Sequence, residues 1–300
     1  MYRVRPNLQW LVALSFCLLL IGSSLVAAAE EATVGSEPVS EPLRIGIFPR
    51  RNSVLTMKLF RPLSRYIEEQ LGEKVELETS ADFKSFWKLM GERRYDLVHL
   101  NQYHYIMAHN AFAYDVLVQN EEFGEKTIRG AIYVRKDSGF TGVEQLRDRD
   151  ILFGGGKLAM MSYIVPTYLL RQGGLEAGAY REHFSTSPPN TVLATYLGQV
   201  DAGGAGDIVL RLPMVTNKID VSELQLLAVS EELAHLPWAV KAEMDSRLKE
   251  RLRQLLLTMA TTEAGAQVLQ AARLSGFNPV SDEDYAPHAE IARVAGISSK

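Results

Sequence analysis

A two-lobed α/β fold is what this sequence predicts, and three observations carry the prediction. Short apolar runs alternate with longer stretches whose apolar residues recur at helical spacing, the order that places helices on the faces of sheets. The alternation begins at Leu43, pauses at the turn Asp137-Ser138-Gly139 and starts again, giving two units of similar plan without a residue-level repeat. The chain is also long enough for one large domain or two smaller ones.

In the first unit, Leu43–Phe48 is a short apolar run closed by Pro49 and reads as a buried strand. Leu55, Leu59, Leu63, Ile67 and Leu71 then recur on one helical face, and Gly72 stops the helix. Val75, Leu77 and Thr79 alternate as a second strand. Phe83, Phe86, Trp87 and Met90 mark a helix ended by Gly91, and Tyr95–Leu100 returns to strand. Strand and helix in this order imply parallel pairing, because parallel strands need crossover helices. Val116–Val118 and Ile128–Val134 read as further strands.

In the second unit the pattern predicts helix Val143–Leu146, strand Ile151–Phe153, helix Ala159–Arg171 and helix Thr191–Leu197. Strand Val200–Ala202, helix Ile208–Leu212 and strand Leu224–Val229 complete it. Lys241–Met259 and Ala264–Ala272, rich in Leu, Ala, Arg and Glu, read as helices.

Residues 1–29 are set apart. Arg3 and Arg5 precede the apolar run Leu11–Ile21, and Ala27-Ala28-Ala29 supplies small residues for cleavage, which predicts a signal peptide and a periplasmic location. Gly22, Ser23 and Ser24 end the run short of the roughly 20 apolar residues a membrane span needs. Residues 30–42, rich in Glu, Ser, Pro and Gly, read as a disordered leader. Cys17, the only cysteine, falls inside the signal segment, so disulfides, thiol catalysis and cysteine metal sites are excluded from the processed chain. Loss of Arg3 and Arg5 takes the formal net charge from −4 down by two to −6, so no overall attraction to nucleic acid or anionic lipid is expected. The chain is expected to act as a monomer.

Catalytic parts do not assemble. There is no G-x-S-x-G elbow, P-loop, His-Glu-x-x-His or dinucleotide-binding glycine fingerprint, and Glu68-Glu69 falls on a solvated helix face. His99, His104 and His109 are five apart and would not share a helix face; neither a metal nor a cofactor is expected. The reading is binding rather than catalysis. Its focus is Phe153–Pro166, FGGGKLAMMSYIVP, an apolar strand breaking into glycines that run into a helix. Unpaired N–H groups and the positive helix end at such a junction receive anions.

LRIGIFP, FRPLSRYIEEQLG and YDLVHLNQYHYIMAH, followed by YVRKDSGFTGVEQLRDRDILFG, YIVPTYLLRQGG, LGQVDAGGAG, HLPWAV and GFNPVSDEDY, stand in an order and spacing that resembles a known family. The chain is similar, from about Leu43 to Tyr285, to the phosphonate/phosphite/phosphate substrate-binding proteins of ABC importers, within the type II periplasmic binding proteins. The resemblance implies two mixed or parallel sheets flanked by helices, with a hinge and an interlobe cleft. Lobe one would span 43–133 plus 231–285, lobe two 134–230, and 286–300 would be a C-terminal tail. Strands near Ile132–Val134 and Leu227–Val229 would form the hinge, whose closure buries the ligand. It also implies a partner, an ABC permease. The alternative is a sensory binding protein that docks on a membrane receptor kinase or cyclase.

The resemblance departs where the family's phosphonate binders carry a Ser-Thr-Ser-Gly run: the aligned residues here are Ala159, Met160, Met161 and Ser162, and most of the hydroxyls are missing. A histidine the family often places after the next strand is replaced by Pro188, Pro189 and Asn190. The expected ligand is a small anionic or zwitterionic molecule, a phosphonate-like oxyanion or a relative.

Candidate ligand contacts follow. Gly155, Gly156 and Lys157 would supply backbone donors and a cation, and Met160, Met161 and Ser162 would shape the cleft or pack in the core. Gln102, Tyr103, His104 and Tyr105, on the loop after the third strand, could stack on and hydrogen-bond a ligand. Arg50, Arg51 and Asn52 sit at the carboxyl end of the first strand, where ligands of open α/β sheets approach, and arginine forks suit oxyanions. Asn190 and Thr191 open a helix, with Asn190 read also as its cap. Asp207, beyond a Gly-Ala-Gly loop, reads equally as a cap or as the acceptor of a ligand proton.

Overall fold

The first six elements follow the predicted order: β1 (Leu43–Ile47), α1 (Ser53–Leu71), β2 (Val75–Thr79), α2 (Phe83–Gly91), β3 (Leu97–His99) and α3 (Gln102–Phe112). These come from a computed structural model that describes residues 41–49 and 51–297; the signal segment 1–29, residues 30–40 of the leader, and Arg50 lie outside the described residues. Gly72 ends α1 because its φ of 71° lets its N–H reach back to the Glu68 carbonyl at 2.9 Å. β1 pairs in parallel with both β2 and β3, Ile45 facing Leu77 on one side and Leu97 on the other.

β4 (Tyr114–Glu121) joins the same sheet, and the chain then leaves through β5 (Thr127–Ile128) for β6 (Gly130–Arg135) and β7 (Asp150–Gly154). A π-helical turn at Met160–Ile164 leads into α4 (Val165–Gln172). β8 (Arg181–Ser185), α5 (Pro188–Tyr196), β9 (Ala202–Gly206), α6 (Pro213–Thr216) and β10 (Leu224–Val229) follow. The chain returns through β11 (Leu233–Ala234) to β12 (Pro237–Lys241), α7 (Ser246–Thr258), α8 (Glu263–Ala272), β13 (Gly276–Asn278) and α9 (Ala286–Val294).

The result is two mixed sheets, each the centre of a lobe. One is ordered β13-β4-β12-β3-β1-β2 and the other β10-β6-β9-β7-β8. β12 enters the first antiparallel to both neighbours, and β6 does the same in the second, between β10 and β9. The expected crossing strands around Ile132–Val134 and Leu227–Val229 pair with each other inside the second sheet. A separate two-stranded ribbon, β5 with β11, lies at the two points where the chain passes between the sheets.

Several elements differ from the sequence reading for identifiable reasons. Val143–Leu146 and Asp207–Arg211 are single 3-10 turns, too short to sustain α-helix. Lys241 ends a strand, and helix starts only at Ser246, where Asp245 accepts from the Arg247 and Leu248 N–H groups. The Gly-Ala-Gly segment is strand β9 rather than a loop. A Cβ on Gly204 would lie 2.7 Å from a Phe153 ring carbon and 3.0 Å from both Pro166 and the Ser162 carbonyl. On Gly203 it would run into Thr191 and Thr195 of α5. Glycine there lets α4 and α5 close onto the sheet.

The C-terminal stretch contains helix α9. Ile291, Ala292 and Ala295 bury in the same core as Ile151, Phe153 and Leu170 of the second lobe, and Arg171 Nη1 donates to the Val294 carbonyl at 2.6 Å. The first lobe keeps its own core, where Trp238 stacks on His99 at 4.6 Å and packs near Ile45, Leu63 and Leu256.

Candidate functional site

β3 and β7 deliver their carboxyl ends to one another. After β3, Asn101 caps α3: its Oδ1 accepts from the His104 N–H at 2.8 Å. Its Nδ2 donates across to the Leu158 carbonyl at 3.2 Å, in the glycine loop after β7. The two segments singled out from the sequence therefore meet through one side chain.

On the β7 side, Gly155 takes a φ of 93°, a left-handed conformation glycine adopts freely, while its N–H donates to Ser185 O at 3.0 Å. Gly156 is exposed. The turn then tightens, Ala159 N–H to Gly156 O, and the π turn begins at Met160. The N–H groups of Met160, Met161 and Ser162 open this helix and have no acceptor among the described residues. All three side chains are buried: Met160 is 1% exposed, Met161 7% and Ser162 5%. Both methionines pack in the core and share a cluster there with Tyr103 from α3.

Tyr103 is 2% exposed and its hydroxyl has no hydrogen-bond partner among the described residues. Burial pushes its pKa up, so it stays a neutral donor and acceptor. The residues beside it occupy the first turn of a helix, not a loop, and the turn of the helix points them apart. Gln102 donates Nε2 to the Ala234 carbonyl at 3.3 Å. His104 stacks on Phe83 at 4.6 Å and lies edge-on to Trp87 at 5.6 Å; desolvation lowers its pKa to about 4, leaving a neutral ring. Tyr105 turns to Asp282, its hydroxyl donating to that carboxylate, and sits edge-on to Tyr285.

The remaining candidates are held by local partners. Lys157 forms an ion pair with Glu182 at 3.1 Å and lies over the Tyr163 and Phe184 rings, with its side chain 62% exposed. Asn52 caps α1 by accepting from the Leu55 N–H at 2.8 Å. Arg51 is half-buried. α5 starts at Pro188 with Ser187 in the N-cap position, so Asn190 is inside the helix and bonds Thr186 Oγ1 at 2.8 Å. Thr191 is fully buried and pairs with the Ser185 hydroxyl at 2.7 Å. Asp207 is not a cap. It accepts from Arg129 Nε at 2.8 Å and from the Arg129 N–H at 3.2 Å, tying β6 to the end of β9.

Among the described residues His109, Asp115 and Asp282 gather their ligand atoms, a cluster that chain spacing hides because α3, β4 and the C-terminal region contribute one each. Protein groups already engage it: His109 Nδ1 donates to Tyr114 O at 2.8 Å, Lys249 pairs with Asp115 at 3.0 Å, and Tyr105 and the Val116 N–H donate to Asp282. Asn101, which joins the two segments, was not among the candidate ligand contacts read from the sequence. Its position before α3 signals a cap and nothing more.

Comparison with known proteins identifies the family of the chain. A family described as ABC transporter, phosphonate, periplasmic substrate-binding protein matches residues 45–285. The phosphate-import protein PhnD of Mycolicibacterium smegmatis is 23% identical over 93% of this chain and 94% of its own. PhnD1 of Prochlorococcus marinus, solved with methylphosphonate, superposes with a TM-score of 0.74 at 19% identity, over 85% of this chain and 98% of that one. XAC2383 of Xanthomonas citri, solved with ATP, gives 0.73 at 16% identity over 86% and 98%.

Proposed function

The chain belongs to the periplasmic substrate-binding proteins of ABC phosphonate transporters, and from that membership we propose that it captures a small phosphorus oxyanion at the junction of β3–α3 and β7–α4 for delivery to a membrane permease. The observation that carries the reading is the Tyr103 hydroxyl, buried and without a partner among the described residues, in one cluster with the helix turn whose Met160, Met161 and Ser162 N–H groups are also unclaimed among them. Buried polar groups are almost always satisfied, so a set of unclaimed donors at a helix start invites an acceptor-rich anion.

Charge supports a weakly held ligand. Arg129 and Lys157 are each engaged by a carboxylate, Asp207 and Glu182. Recognition would then rest on backbone N–H groups, Tyr103 and Asn101. The methionines fill the space hydroxyls would take, which suits an oxyanion bearing an apolar substituent, such as an alkylphosphonate, over inorganic phosphate.

A thermal-shift series with methylphosphonate, ethylphosphonate, phosphite, phosphate and ethanesulfonate tests this. A ligand at 100 times its Kd adds about 2.7 kcal/mol of stability, a shift of several degrees. Alkylphosphonates are expected to raise the Tm most. A chain unmoved by any of the five would overturn the proposal.

A further inference from the structure

The Ala234 carbonyl lies on β11, in the ribbon where the chain returns from the second sheet to the first. Two side chains from separate elements donate to it: Gln102 Nε2 at 3.3 Å from the first turn of α3, and His288 Nε2 at 3.1 Å from α9. Both side chains are fully buried. A carbonyl can only accept, so the His288 tautomer carries its proton on Nε2. The next residue is held as well, with the Tyr285 hydroxyl donating to the His235 carbonyl at 2.9 Å and the Tyr285 ring stacked on His288.

The two donors are rooted in different lobes. α3 follows β3 of the first sheet and reaches the candidate site through Asn101 and Tyr103, the residues on either side of Gln102. α9 is anchored in the second lobe by Ile291, Ala292 and the Arg171–Val294 hydrogen bond. A carbonyl has two acceptor sites, and stripping a partner from a buried polar group carries a penalty. A relative placement of α3 and α9 that takes either donor off the carbonyl leaves a buried N–H without its partner.

We propose that Gln102 and His288 form a clasp on the Ala234 carbonyl that sets the angle between the lobes, with Gln102 as the positioning residue linking ligand capture at the start of α3 to the crossing ribbon. Capture that shifts the α3 turn moves the donor on Ala234, and α9 carries that movement into the second lobe. The C-terminal helix is thus a third connection between the lobes, beside the two crossings of the ribbon.

The test uses the full chain with Cys17, its only cysteine, replaced by Ser and spin labels on Glu69→Cys and Leu197→Cys, exposed positions in the two lobes. Electron–electron distances are read before any ligand is added. The parent chain is expected to show one dominant distance. Gln102→Met and His288→Leu are expected to add a longer, broader population, while His288→Gln, which presents an N–H at the reach of Nε2, is expected to retain the parent distribution. Parent-like distances in both donor-less variants, or broadening in His288→Gln equal to that in His288→Leu, would overturn the clasp. Should Gln102→Met fail to fold by circular dichroism, Gln102→Leu, which also lacks a donor, replaces it with the same expectation. Because no ligand enters this measurement, indifference to methylphosphonate would count against the proposed ligand alone.

Discussion

Asn101 reaches from one lobe to the other: its Nδ2 donates to the Leu158 carbonyl at 3.2 Å while its Oδ1 caps α3 on the His104 N–H at 2.8 Å. Aspartate caps helices as well as asparagine does but has no donor. Asn101→Asp should therefore keep the Tm within a few degrees while weakening methylphosphonate on the order of tenfold, the worth of a strong hydrogen bond. Asn101→Ala should lose about 1 kcal/mol of stability as well. Calorimetric titration and thermal melting separate the two roles; unchanged affinity in Asn101→Asp would confine Asn101 to capping.

Met160 and Met161 open the helix turn at the candidate site, and both side chains are buried. Met161→Thr exchanges packing for a donor. Truncating a buried methionine costs about 2–5 kcal/mol, so denaturant unfolding should show a clear loss. Affinity for phosphate should rise relative to ethylphosphonate, because the new hydroxyl adds a hydrogen bond and takes away apolar surface. Titrations with both ligands check the ratio, which would stay fixed if Met161 were purely a core residue.

Glu182 holds Lys157 at 3.1 Å, with the Tyr163 hydroxyl on the same carboxylate at 2.9 Å. Glu182→Gln removes the charge that occupies the lysine and should tighten anion binding several-fold. The gain should shrink between low salt and about 0.5 M, where exposed charges are largely screened. Lys157→Ala in the parent chain should change stability by less than about 1 kcal/mol, as exposed pairs contribute little. A salt-independent effect of Glu182→Gln would point to altered packing around Tyr163 instead.

What the sequence disclosed, and what it withheld, divides along physical lines. β1 to β3 with their helices were legible because apolar runs are bounded by Pro49, Gly72 and Gly91. β8 was not, since an edge strand with Arg181, His183 and Phe184 exposed carries no apolar signature. β12 was hidden by Pro237, which is tolerated because it is the first residue of the strand. The glycine-rich β9 read as loop because its conformation is decided by the helices pressed against it. At the candidate site, the two segments were found but the division of labour among Gln102, Tyr103, His104 and Tyr105 was not: successive helical residues point about 100° apart, and their destinations belong to tertiary structure. Asp207 shows the same limit, its partner Arg129 being remote in the chain.

Gly204 offers a test of that tertiary demand on β9. A methyl group there would stand 2.7 Å from the Phe153 ring and 3.0 Å from Pro166 and the Ser162 carbonyl, inside the helix whose first turn carries the unclaimed N–H groups. Gly204→Ala should destabilise by about 1–3 kcal/mol through overpacking. It should also weaken methylphosphonate, because relief comes by pushing the Met160 turn away from the sheet. Unfolding and titration on the one variant check both; a stability loss with intact affinity would separate β9 from the site.

Acid should weaken the fold through two buried histidines. Loss of hydration holds both His104 and His288 at pKa values of about 4, against 6.5 for the solvated side chain. Between those values the unfolded chain binds protons that the folded chain refuses, so stability rises with pH and is lost as pH falls from about 6.5 towards 4. At about 1.4 kcal/mol per pH unit of difference, each histidine contributes on the order of 3 kcal/mol across the window. Denaturant unfolding at pH 7 and pH 4.5 should expose this slope. His104→Phe keeps an aromatic ring against Phe83 but cannot titrate, and should remove about half of it; a slope unchanged in that variant would mean His104 takes its proton while folded, at no cost to the packing around it.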